Sequence, residues 1–79
     1  MTNKEKLIST FCDALGVGPD IITDDCEYNS ISQWDSVAHM VLINKLEQTF
    51  DIMLDTDDII DMSTPAKAEE IIAAHGVEF

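Results

Sequence analysis

Apolar residues recur at helical spacing in separate stretches of this chain, and no stretch shows the sustained alternation of a β-strand. In the first stretch Leu7, Phe11 and Leu15 fall on one helical face, with Ile8 and Cys12 beside them. With 79 residues the chain is long enough for one small core. We therefore predict an all-α fold in a single domain over residues 1–79, built as a four-helix bundle of three main helices and a short third one.

The predicted helices begin and end at residues suited to those positions. The start residues are Thr2 with Glu5, then Asp35 with Ser36, then Thr64 with Pro65; the end residues are Gly16, Asp51 and Gly76. The second helix has an inward stripe of Leu42, Ile43, Leu46 and Phe50. The acidic stretch LDTDDIIDM allows only about two turns, which predicts the short third helix.

Residues 16–35 lack a helical pattern and are rich in Gly, Pro, Asp, Asn and Ser. Loops of this length are uncommon in compact domains and are often functional. We predict a long ordered loop between the first two helices, attached to the core by its scattered apolar residues. These are Val17, Ile21, Ile22, Tyr28, Ile31 and Trp34.

The chain is strongly acidic, with sixteen Asp and Glu residues, four lysines and a formal net charge of −12. A negatively charged surface repels the phosphate backbones of nucleic acids and anionic membranes. The charge therefore argues against nucleic-acid binding and membrane insertion. It also speeds encounters with partner proteins of opposite charge.

No apolar run approaches the roughly 20 residues of a membrane span, and the first residues lack the apolar core of a secretion signal. We expect a cytoplasmic monomer.

The cysteines and the acidic segment 55–58 do not have the spacing of metal ligands. Neither Cys12 nor Cys26 has a second Cys or a His at ligand spacing, so we predict two buried or half-buried thiols. The segment 55–58 resembles the opening of a calcium loop, but Ile60 stands where the turn glycine belongs. We therefore predict no metal site.

Ser36 is the candidate for chemistry because it stands where the long loop meets a helix. Its hydroxyl is expected to be exposed, close to the unpaired N–H groups of the first helical turn. The positive end of the helix dipole favours a phosphate ester at this position. Asp35 is placed to help hold a divalent ion during attachment. Alone, however, Asp-Ser before a helix is also an ordinary capping pair.

The stretch WDSVAHMVLINKLEQTFDI, residues 34–52, resembles the attachment region of acyl carrier proteins. The shared elements are Asp35-Ser36-Val37, Leu42 with Ile43, Leu46-Glu47 and Phe50-Asp51. The predicted order of helices, the length and the acidity also match that family along the whole chain.

The resemblance implies an acyl-carrier-like fold and a carrier that is not an enzyme. Ser36 would receive 4′-phosphopantetheine from coenzyme A through a phosphopantetheinyl transferase, and acyl-transferring or acyl-modifying enzymes would then act on the thioester. In the family, cargo lies between the second and third helices, which gives a hypothetical lining of Met40, Ile43, Ile59 and Met62.

The chain departs from carriers of fatty acid synthesis beside the serine. Those carriers usually have Leu after the serine and acidic residues two and five positions after it, whereas this chain has Val37, Ala38 and Val41. We therefore expect partners with basic or apolar docking patches and a specialised lipid, polyketide or secondary-metabolite pathway. The predicted partner-binding residues are Val37, Met40, Val41, Asn44 and Glu47.

Alternative interpretations remain at this point. An aminoacyl or peptidyl carrier would use the same arm with a different cargo, and an acidic interaction module would use Asp35 and Ser36 only as a cap. His39, three residues after Ser36, suggests a general base, but no catalytic partner accompanies it, so packing against the loop is the preferred interpretation. His75 is expected to interact with the C-terminal end of the last helix.

Overall fold

The computed structural model describes residues 2–79, and within that range it contains four helices and no strand. They are α1 (Asn3–Leu15), α2 (Ser36–Phe50), α3 (Thr56–Asp61) and α4 (Pro65–Ala74). The predicted all-α fold, with its short third helix and long loop before α2, is confirmed.

The helix ends are fixed by the residues that the sequence indicates. The Thr2 hydroxyl accepts a hydrogen bond from the Glu5 N–H, and the Glu5 carboxylate accepts one from the Thr2 N–H, both at 3.1 Å. The bond from the Thr2 N–H to the carboxylate is the main cause that lowers the pKa of Glu5. Gly16 ends α1 with a φ of 68°, a left-handed conformation that favours glycine.

The core lies where α1 meets α2 and α4, with α1 packed mainly against α2. Its central side chains are excluded from solvent, and each contributes apolar surface to one cluster. The fully buried members are Leu7, Phe11, Trp34, Leu42, Leu46, Met62, Ala68 and Ile72. α1 and α2 therefore form the rigid base on which the loop and α3 are placed.

The long loop between α1 and α2 is ordered by its apolar residues, as predicted. Ile22, Cys26 and Trp34 are buried, and the Trp34 ring meets Phe11 edge to face at 5.5 Å. The Tyr28 N–H donates to the Ser63 carbonyl at 2.7 Å. The loop is thus tied both to α1 and to the junction between α3 and α4.

Both cysteines carry free thiols, Cys26 buried and Cys12 half-buried, as expected. Burial raises the pKa of Cys12, and the nearby carboxylates of Asp13 and Asp20 raise it further. A raised pKa keeps the thiol protonated and unreactive at neutral pH.

α3 is the least buried helix, since none of its residues is fully excluded from solvent. Its N-terminal end is closed by a reciprocal capping box between Asp55 and Asp58. Asp58 also accepts a hydrogen bond from the imidazole Nε2 of His75 at 2.9 Å. The ring of His75, at the C-cap of α4, thus bonds a carboxylate on α3 and links α3 to the end of α4.

The Asp58 to His75 contact predicts a pH-dependent contribution to stability. The pKa of Asp58 is lowered mainly by the hydrogen bond from His75. The contact therefore adds stability above about pH 4, and the contribution disappears as pH falls through the lowered pKa. We expect Asp58→Asn to be less stable than wild type at neutral pH, with a difference that shrinks below about pH 4, as measured by urea unfolding across pH.

Asp57→Asn is the matched control, because it removes one carboxylate from the same first turn without touching His75. Equal losses in the two variants at neutral pH would show that the His75 contact contributes nothing beyond the effect of charge at the helix start.

Candidate functional site

Ser36 is the first residue of α2 and is exposed. Asp35 precedes it as the N-cap, in extended conformation, and its Oδ1 accepts a hydrogen bond from the Ala38 N–H at 2.9 Å. The Ser36 hydroxyl forms no hydrogen bond with any residue in the range 2–79. The cap thus fixes the helix start while the serine oxygen stays free for solvent.

The first turn of α2 retains unpaired donors around this hydroxyl. The N–H groups of Ala38 and His39 are bonded to the side chain and the carbonyl of Asp35, at 2.9 and 2.8 Å. The N–H groups of Ser36 and Val37 lie before the first hydrogen bond within the helix. They have no acceptor among the described residues. Two free N–H groups at the positive end of a helix suit phosphate oxygens on the Ser36 ester, so the site fits a phosphopantetheine linkage.

An apolar strip runs along α2 from the serine. Val37 is 72% exposed, Met40 51% and Val41 40%, and Asn44 continues the exposed surface. Four of the five predicted partner-binding residues therefore lie on accessible surface.

Glu47, the fifth, is held differently. It is half-buried, and its Oε2 accepts a hydrogen bond from the Leu54 N–H at 2.9 Å. Its carboxylate stabilises the chain after α2. The sequence offered no signal for this role, because the contact depends on how residues 51–54 turn.

His39 packs against the loop, as predicted, and does not face Ser36 as a general base. The residue is 9% exposed. The Trp34 indole Nε1 donates to His39 Nδ1 at 3.0 Å, and His39 Nε2 lies 2.9 Å from the Ile59 carbonyl. Because both nitrogens are engaged, the imidazole is a structural bridge between the loop, α2 and α3.

A cavity of about 280 Å³, open to solvent on one side, lies between the loop, α2 and α3. Two of the four predicted lining residues, Ile59 and Met62, line it. The other two do not: Ile43 is 2% exposed within the core, and Met40 lies on the outer surface of α2. Sequence reasoning missed the remaining lining residues, which are Tyr28, His39, Ile60 and Ser63.

For His39 the sequence did carry an indication of its place near the site. On a helix it lies one turn after Ser36 and one turn before Leu42 and Ile43. Tyr28 and Ser63 could not be placed in this way, because the loop and the α3 to α4 junction meet through a backbone hydrogen bond that no periodicity encodes.

In residues 2–79 no group of three or more His, Cys, Asp or Glu side chains is arranged to hold a metal ion. The help of Asp35 in holding a divalent ion during attachment stays a prediction. The same residues include no helix that is both long and apolar enough to cross a membrane.

The cap geometry predicts that two substitutions of Asp35 will separate the effect of its hydrogen bond from the effect of its charge. Asp35→Ala removes the acceptor for the Ala38 N–H and should cost about 1 kcal/mol of stability. Asp35→Asn keeps an acceptor oxygen and should stay close to wild type. Urea unfolding measures both, and a loss in Asp35→Asn as large as in Asp35→Ala would show that the charge, not the hydrogen bond, stabilises the start of α2.

Comparison with protein-family models gives a match over most of the chain. The family model described as "Phosphopantetheine attachment site" matches residues 5–72, which include all of α2, α3 and the cavity lining. No curated protein and no solved structure matched the chain. The matched domain is a carrier domain with no catalytic function, and its covalent cofactor is 4′-phosphopantetheine. The chain therefore belongs to the phosphopantetheine attachment site family and is a carrier protein.

Proposed function

We propose that this carrier holds an acyl group as a thioester on a phosphopantetheine arm attached to Ser36, and delivers it to partner enzymes. The observation that supports this most directly is the exposed Ser36 hydroxyl at the start of α2, without a hydrogen-bond partner and beside two free N–H groups. Residues 1–79 form a single carrier domain in this proposal, acting as a cytoplasmic monomer.

The residues of the chain contribute position and charge stabilisation. The Ser36 hydroxyl oxygen forms a bond to the pantetheine-bearing phosphorus of coenzyme A within the transferase. The pyrophosphate bond breaks, adenosine 3′,5′-bisphosphate leaves, and the hydroxyl loses its proton. The N–H groups of Ser36 and Val37 then stabilise the negative charge of the phosphodiester. When attached, the arm supplies the thiol and keeps its cargo at high effective concentration near each partner enzyme.

The apolar strip on α2 is the proposed contact for those partners. Val37, Met40, Val41 and Asn44 are uncharged and accessible beside the arm. Apolar residues at the centre of an interface contribute affinity, whereas surrounding charge mainly sets orientation and the rate of encounter. A specialised carrier with dedicated partners in a lipid, polyketide or secondary-metabolite pathway fits this surface.

An acyl cargo is preferred over an aminoacyl or peptidyl cargo because of the cavity between α2 and α3. Ile59, Ile60 and Met62 give it an apolar wall, and Met adapts to irregular apolar shapes. A charged amino group would lose hydration there without gaining an ionised partner.

Attachment is tested by incubating the protein with coenzyme A and a broad-specificity phosphopantetheinyl transferase, followed by intact mass analysis. Wild type should gain one phosphopantetheine, and Ser36→Ala should gain none. Ser32→Ala removes another exposed hydroxyl four residues earlier and should be modified like wild type. Modification of Ser36→Ala would place the arm on a different residue.

The role of the apolar strip is tested by placing a charge in it. Val37→Glu should lower kcat/KM for the transferase at least about tenfold, because the new carboxylate must be desolvated at the contact. Stability should change little, since Val37 is 72% exposed.

Gln48→Glu adds the same charge three turns further along α2 and serves as the control. If the two variants are modified at the same rate, Val37 lies outside the transferase contact. If Val37→Glu unfolds, the residue supports the fold instead.

A further inference from the structure

Trp34, the last residue before the cap of α2, is held at every polar group that it carries. Its side chain is fully buried, and the indole Nε1 donates to His39 Nδ1 at 3.0 Å. Its backbone N–H donates to the Ile31 carbonyl at 3.2 Å, and its carbonyl accepts from the Asn29 N–H at 3.0 Å. The end of the long loop therefore cannot turn without breaking several hydrogen bonds at once.

Trp34 and His39 occupy the two positions of a helix staple. In a staple, the residue before the N-cap packs against the fourth residue of the helix and fixes the angle at which the chain enters it. Asp35 is the N-cap and Ser36 the first residue of α2, so His39 is the fourth. The two rings stack with an interplanar angle of 27° and a centroid distance of 6.1 Å. Here a hydrogen bond is added to the packing of the staple.

The second ring nitrogen of His39 ties the staple to α3. The indole of Trp34 can only donate, so His39 Nδ1 is the acceptor and Nε2 carries the proton that is donated to the Ile59 carbonyl at 2.9 Å. Tyr28 meets the imidazole edge to face at 5.1 Å. Rotating the imidazole would leave the buried indole N–H without a partner. The ring is therefore held in one orientation, and the staple is held with it.

The position of the Ser36 oxygen depends on the chain just before it. The hydroxyl is exposed and has no hydrogen-bond partner among residues 2–79, so no side-chain contact orients it. Asp35 is joined to the helix by its cap bond to the Ala38 N–H. That bond leaves open the angle at which the loop arrives, and this angle decides how much space the oxygen has on the side of the loop. The staple at Trp34 fixes the angle.

We propose that Trp34 and His39 are positioning residues for phosphopantetheine transfer. Their staple holds the loop clear of the Ser36 oxygen and keeps that oxygen in the orientation needed to attack the phosphorus of coenzyme A. The inference rests on the proposed attachment at Ser36. Both residues act through the backbone, and a displacement of about 1 Å at the reacting atom is enough to slow a reaction about a hundredfold.

The test measures kcat and KM for transfer from coenzyme A to the full chain by a broad-specificity transferase, at a temperature where each variant is folded. Trp34→Phe keeps an aromatic ring beside Phe11 and removes the indole N–H. Its kcat should fall about tenfold, because the oxygen is less well oriented in the bound complex. KM should change less than about twofold, because the exposed strip on α2 is unaltered.

Substitutions of His39 separate the hydrogen bond of the staple from its packing. His39→Leu keeps an apolar contact with Trp34 but leaves the indole N–H without an acceptor, so its kcat should fall as in Trp34→Phe. His39→Gln offers an acceptor oxygen and a donor N–H, and its kcat should stay within about threefold of wild type. Equal kcat values for His39→Gln and His39→Leu would overturn the role of the hydrogen bond.

Ile72→Val is the control for stability, because Ile72 is fully buried on α4 and its truncation weakens the core without changing either ring of the staple. Its kcat should equal that of wild type. The NMR signals of the Ser36 and Val37 N–H groups should shift in Trp34→Phe and stay in place in Ile72→Val.

A wild-type kcat in Trp34→Phe, or an equal loss in Ile72→Val, would overturn the proposal. Should Trp34→Phe fail to fold, the comparison of His39→Gln with His39→Leu decides.

Intact mass analysis separates the two proposals. A wild-type protein that gains no phosphopantetheine would contradict the attachment at Ser36. Full modification of wild type with the same kcat in every staple variant would contradict only the positioning role of Trp34 and His39.

Discussion

The hydrogen-bonded chain from Trp34 through His39 to the Ile59 carbonyl is the interaction on which the arrangement of this protein depends. It links three parts of the chain: the long loop, α2 and the short α3. α3 has no fully buried residue, so its position depends on such specific bonds more than on burial of apolar surface. The two residues joined by the second bond of this hydrogen-bonded chain, His39 and Ile59, both line the cavity, so this bond spans the cavity wall from α2 to α3.

Much of the fold could be predicted from the sequence because capping residues mark where the helices begin and end. Thr2 with Glu5, Thr64 with Pro65 and the glycine at position 16 act within a few residues of themselves, so local chemistry is enough to place them. The start of α2 at Asp35 and Ser36 follows from the same local rules.

The site was harder to predict where it depends on contacts between distant segments. Periodicity places Ile43 on the inward face of α2, but it cannot tell whether that face meets the core or a cavity. The side chain of His39 takes the position next to the cavity because Trp34 offers a donor from the loop. Likewise, nothing local indicates that Glu47 bonds the Leu54 N–H or that His75 bonds Asp58.

The uncharged strip on α2 has a consequence for how complexes of this carrier form and separate. Its residues beside Ser36 lack carboxylates, although the chain as a whole has a net charge of −12. Long-range attraction then governs how often a basic partner arrives, and ions in solution weaken it. If partners dock on this strip as proposed, the lifetime of the complex depends instead on apolar contacts, which ions screen little. Ionic strength should therefore alter association rates far more than dissociation rates, so that cargo handover proceeds at a steady pace once the two proteins have met.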